Sequence, residues 1–110
     1  MAAAVGGGEP ATSIPKMTAY QHAVRCFYAN GRMEELLNRR GQPDKAAVYY
    51  NNAERSHRGA VTLGRAVGMS DAQMARDLDV RRTDVEFPRM LLDPDYFDEV
   101  ATTCKAIGLM

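Results

Sequence analysis

Apolar residues recur along this chain at three- and four-residue steps, and no stretch alternates with a period of two. That spacing gathers side chains on one face of an α-helix, whereas a half-buried strand needs strict alternation. The expected fold class is therefore all-α, a single compact domain of five or six helices. Tyr20, Ala23, Val24, Phe27 and Tyr28 form the first face, and Thr18 and Gln21 ahead of it have capping-box spacing. Asn30-Gly31 predicts a stop, since both residues tolerate the left-handed conformation. A short helix over 32–40 follows, with Met33, Leu36 and Leu37 buried, and a tight connection sets it antiparallel to the first.

Pro43 suits the first turn of a third helix. Its face runs through Ala46, Ala47, Tyr50, Ala53, His57, Ala60, Val61, Gly64 and Val67. Gly59 and Gly64 each weaken it by roughly 1 kcal/mol relative to alanine. They predict either a kink near 57–59 or a place where another helix comes close. Gly68 closes the helix. Ser70 and Gln73 form a second capping box, opening a helix that carries Met74, Ala75 and Leu78. A turn is expected around Asp79. Asp93 and Pro94 begin the last helix, with Tyr96, Phe97, Val100, Cys104 and Ile107 inward. Residues 1–16, with three consecutive glycines and two prolines, read as a flexible tail. The helical domain is 17–110.

Composition narrows the function classes. Lys and Arg number 14 and so do Asp and Glu, so the chain as a whole does not advertise a polyanionic partner. The charge is uneven, however: +4 over 17–66, −1 over 67–92 and −3 over 93–110. Two cysteines do not make a disulfide framework. Cys26 and Cys104 lie among apolar neighbours, as buried reduced thiols do. No apolar run reaches the roughly 18 residues of a membrane span, and no signal peptide is visible. A cytoplasmic protein without a membrane partner is expected.

Residues 70–85, Ser-Asp-Ala-Gln-Met-Ala-Arg-Asp-Leu-Asp-Val-Arg-Arg-Thr-Asp-Val, resemble the two core helices of the bacterial and phage helix-turn-helix family. Ala75 stands where that family keeps a small residue at the helix crossing. Leu78, Val80 and Val85 match its apolar positions, and Asp79 stands where glycine is usual in the turn. The resemblance implies a DNA-binding regulator that inserts its second helix in the major groove and commonly works as a homodimer. Arg81, Arg82 and Thr83 would then face phosphates or base edges, Arg76 the backbone, and Arg89 a further contact. Asp84 and Glu86 put negative charge on that helix, and Pro88 would end it near Phe87.

Residues 26–37 resemble the centre of a tetratricopeptide repeat, without the second copy such arrays need. The alternative reading is thus a helical protein–protein interaction module without DNA binding, presenting Tyr49 and Tyr50, one toward the core and one toward solvent. His22, Cys26, His57 and Cys104 have the ligand types of a zinc site but irregular spacings, so no metal is expected. Neither thiol shows the electropositive, exposed setting of a nucleophile, and no phosphate-cradling loop is present. Neither enzymatic activity nor a cofactor is expected.

Overall fold

A computed structural model of the chain describes the backbone of residues 3–110 and the side chains of residues 16–110. The expected tail at 1–16 therefore lies, Lys16 apart, outside the residues with described side chains. Among the described residues there are helices and no strand. The helices number four rather than five or six, because two of the expected interruptions are absent.

The first interruption fails at Asn30-Gly31. Helix α1 runs Ala3–Arg39 without a break there, so Thr18 and Gln21 stand inside it and not at its start. Asn30 is fully buried, and its Nδ2 donates to the Cys26 carbonyl at 2.8 Å and to the Leu109 carbonyl at 2.7 Å. The side chain that could have capped a helix end instead ties the C-terminal segment to the middle of α1. The tetratricopeptide-like residues 26–37 accordingly belong to one helix.

Helix α2, Pro43–Ala66, lies back along α1. Its 24 residues span about 36 Å at 1.5 Å per residue. The buried residues are Ala46, Ala53, Ser56, Ala60 and Gly64, all small, so the backbones approach closely. Gly64 is the tightest point. A Cβ there would fall 2.3 Å from Met74 Sδ and 3.2 Å from Tyr20 Cε1, whereas one on Gly59 would meet nothing. Close approach, not a kink, is the outcome of the two sequence alternatives.

Two turns share one chemistry. Gly41 adopts φ +72°, and Gln42 N–H donates to the Leu37 carbonyl at 2.9 Å. Gly68 adopts φ +89°, and Met69 N–H donates to the Gly64 carbonyl at 2.9 Å. Both are left-handed closures that return a donor to a carbonyl of the last turn. Ser70 and Gln73 form the expected capping box beyond the second.

The second interruption fails at Asp79. From Asp71 to Leu92 the chain is one rod, α3: an α segment Asp71–Val80, a π segment Arg81–Glu86 and an α segment Phe87–Leu92. Val80 and Arg81 have ordinary right-handed helical angles, and among the described residues no non-glycine residue has positive φ. The helix likewise continues past Pro88. Proline has no N–H to give, and its ring crowds the carbonyl four residues back. The wider π turns immediately before it let the rod pass without ending. Helix α4, Pro94–Ala106, then starts as expected, with the Asp93 carboxylate accepting from Tyr96 N–H at 3.2 Å.

The two cysteines are corrected as well. Both are fully buried, but Cys26 on α1 and Cys104 on α4 are joined as a disulfide across 78 residues of sequence. Their remoteness along the chain hid the pairing; the packing of α4 on α1 creates it. In the chain-entropy account a loop of this length stabilises the fold by about 4 kcal/mol. The C-terminal residues extend the same contact, with Arg55 Nη1 donating to the Gly108 carbonyl at 3.0 Å. Peptide mapping of alkylated, unreduced protein should recover Cys26 linked to Cys104. Replacing both by serine should lower the melting temperature substantially; free thiols in the native protein, or an unchanged melting temperature, would contradict this.

Candidate functional site

Three phenols hold α3 against its neighbours, and they decide which of its faces remain available. Tyr20, on α1, donates to Asp77 Oδ2 at 2.6 Å. Tyr28, two turns further along, donates to the Leu78 carbonyl. Tyr96, on α4, donates to Glu86 Oε1 at 2.5 Å. Glu86 is only 1% exposed. An isolated buried carboxylate costs several kcal/mol. Here Arg25 Nε at 3.7 Å and Arg81 Nη1 at 3.9 Å oppose its charge. Arg81 also donates through Nε to both Asp77 oxygens, at 3.0 and 2.9 Å. The acid expected to repel phosphates from an exposed helix is instead the buried anchor of that helix.

These anchors separate the residues expected to meet DNA. Arg81 faces inward to Asp77 and Glu86. Thr83 Oγ1 donates to the Asp79 carbonyl of its own helix at 3.0 Å. Arg89 lies over the Tyr96 ring, its guanidinium carbon 3.8 Å from the centroid. Arg76 and Arg82 are exposed. Arg82 and Arg89 line different cavities, so the five do not share one face. The positions expected to lock a helix-turn-helix also point elsewhere: Ala75, Val80 and Val85 are exposed, and of that set Leu78 packs against the core.

What α3 leaves open is apolar. Leu92 is 84% exposed, Leu91 55% and, across the cleft on α2, Tyr50 51%. All three surround Phe87, whose ring meets Tyr28 edge-on at 5.5 Å. On one side of Phe87 a 240 Å³ cavity is walled by Phe27, Tyr28, Gly31, Ala53 and Tyr50. On the other lies a 250 Å³ cavity bounded by Met90, Leu91, Arg32 and Arg39. A shallower 510 Å³ depression over Pro88, Leu91 and Leu92 shares Phe87 with both. Of the two tyrosines, Tyr50, which helical spacing put on the inward face, is the exposed one, and Tyr49 is half-buried beside it. Phe87, Leu91 and Leu92 went unnoticed, because a helix ending near Phe87 would have left them in a loop.

The rim of the groove carries both signs. Arg32 and Arg39 bracket Glu35 at 2.9 and 3.1 Å, and Arg82 faces the side bearing Glu34 and Glu54. His57 packs on Phe27 with ring centroids 5.2 Å apart, away from the cysteines. His22 lines a polar cavity together with Cys26 and Cys104, whose sulfurs are bonded to each other. Comparison with family models, with curated proteins and with solved structures finds no match to this chain.

Burial pushes the Tyr28 phenol up to about 12, with the charges of Asp77 and Glu86 adding to it. Tyr20 and Tyr96 are raised too, first by burial and then by their bonds to Asp77 and Glu86. A phenol whose folded pKa exceeds its unfolded value of about 10 stabilises the fold fully below pH 10. That contribution is lost as pH rises through the folded value. Tyrosinate absorbance and helical circular dichroism should therefore change together between about pH 10 and 12. Complete phenol ionisation with the helices intact would contradict the anchoring role.

Proposed function

We propose that this chain is a helical protein-binding module that accepts an amphipathic helix of a partner polypeptide in the groove around Phe87. The observation that carries the reading is the convergence of Leu91, Leu92 and Tyr50, all more than half exposed, on one aromatic-floored cleft. Scattered surface leucines are ordinary, but a contiguous apolar cleft bordered by charge marks a contact surface. A helix lying between two others buries its anchors at three- and four-residue spacing, which the paired cavities flanking Phe87 suit. The rim supports a polypeptide over a polyanion: Arg32, Arg39 and Arg82 are balanced by Glu34, Glu35 and Glu54.

The disulfide bears on where this happens. Such bonds persist in oxidising compartments and are rare where thiols are kept reduced. We therefore place the activity in an oxidising compartment rather than in the cytoplasm expected from sequence. Among the described residues no helix is long and apolar enough to cross a membrane.

A photo-crosslinking side chain introduced at Leu92 or at Tyr50 tests the groove. Both positions should give the same discrete adduct with one partner polypeptide in the native host, and a probe at exposed Thr62 should not. Leu91→Lys combined with Leu92→Lys should abolish the adduct without lowering the melting temperature, since both side chains face solvent. An adduct only between copies of this chain would replace the partner by a homodimer. Equal labelling from Thr62, or a salt-sensitive duplex shift lost in Arg76→Ala with Arg82→Ala, would overturn the proposal in favour of the nucleic-acid reading.

A further inference from the structure

A second cavity, independent of the groove, lies between α1, α3 and α4 against the Cys26–Cys104 disulfide. Its volume is 180 Å³, ample for a small polyatomic ion. Unlike the groove it is lined mainly by polar groups, and these are rich in donors. The Arg89 guanidinium carbon lies 3.8 Å from the Tyr96 ring centroid, a contact that uses a guanidinium face and none of its N–H donors. It makes no ion pair among the described residues. Arg25 Nε is buried without a hydrogen-bond partner, Glu86 being 3.7 Å away, while a third of the side chain reaches solvent. His22, one turn from Arg25 and Cys26, completes the donor wall.

The charges around the cavity limit what it can take. Glu86 and Asp77 are already divided between Arg25 and Arg81. Arg89 shares the cavity wall with Glu99, the one carboxylate among the lining residues, and with Thr103. Tyr96 cannot donate inward, because its hydroxyl is given to Glu86. A fully ionised dianion would meet two arginines but also an acceptor-only carboxylate. An oxyanion that keeps a proton satisfies both, accepting from the arginines and donating to Glu99.

We propose that this cavity binds a small protonated oxyanion of the hydrogen-phosphate class, with Arg89, Arg25 and His22 as donors and Glu99 as the acceptor of its proton. Inorganic phosphate, sulfate and acetate, each titrated into the full chain at matched pH and ionic strength, separate the possibilities. Backbone amide chemical shifts and the melting temperature are the readouts. Phosphate should shift amides around Arg25, Arg89 and Thr103 and raise the melting temperature at millimolar concentration. Sulfate should be at least about tenfold weaker. Arg89→Gln should weaken phosphate about tenfold, and Glu99→Gln should remove the preference over sulfate. Should Arg89→Gln fail to fold, His22→Gln carries the same expected loss without disturbing the Tyr96 stack. Equal responses to phosphate and sulfate, shifts confined to other surfaces, or full binding by Arg89→Gln would overturn the assignment. Loss of this site would leave the groove reading untouched, because the two share no lining residue.

Discussion

Three phenol hydrogen bonds, two from α1 and one from α4, fix the position of the long helix α3, and the two proposed binding surfaces follow from where that helix is held. Tyr20 and Tyr28 reach Asp77 and the Leu78 carbonyl, and Tyr96 reaches Glu86. Hydrogen bonds to charged groups contribute roughly 1.5–3 kcal/mol each and neutral ones about 1. Together these exceed the roughly 3 kcal/mol that a proline in a helix interior costs. The π turns over Arg81–Glu86 lower that cost further by widening the helix ahead of Pro88. Continuity of the rod, and with it the exposure of Leu91 and Leu92, is the net result.

Anchoring α3 on one side leaves two surfaces of different character. Toward α1 and α2 the helix leaves an apolar cleft around Phe87; toward α1 and α4 it leaves a donor-rich cavity beside the disulfide. Arg82 borders the first and Arg89 the second, one on either side of the proline. The disulfide and the bonds from Asn30 and Arg55 to the C-terminal carbonyls then hold α4 in register. A binding surface built on elements constrained in this way loses little conformational entropy when a partner arrives.

Much of the helical architecture was legible in the chain. The Ser70–Gln73 capping box, the Asp93–Pro94 start and the glycine at 68 are local signals, and each appears where its chemistry placed it. Two breaks were misread for the same physical reason: a residue that tolerates a turn does not require one. Asn30 bonds to the Leu109 carbonyl, 79 residues away, and Asp79 keeps helical geometry because its neighbours Asp77 and Leu78 are bonded to distant tyrosines. Glu86 and the cysteine pair were illegible for a related reason. Burial of a carboxylate between Arg25 and Arg81 exists only once α1 meets α3, and a bond between residues 78 apart only once α1 meets α4. Of the candidate site, the Tyr49–Tyr50 pair was legible, but not which of the two faces solvent: helical spacing put Tyr50 on the inward face, and it is exposed. Leu91 and Leu92 were not legible, because they become a surface only when the helix survives Pro88.

Amide hydrogen exchange across residues 77–90 tests the central claim most directly, since it reads the continuity of the rod residue by residue. The amides from Asp79 to Phe87 should be protected together with those of Met74 and Met90 and open in one cooperative unit. Fast exchange confined to 79–81 between two separately protected helices would contradict the account, restore the turn, and return the segment to a helix-turn-helix.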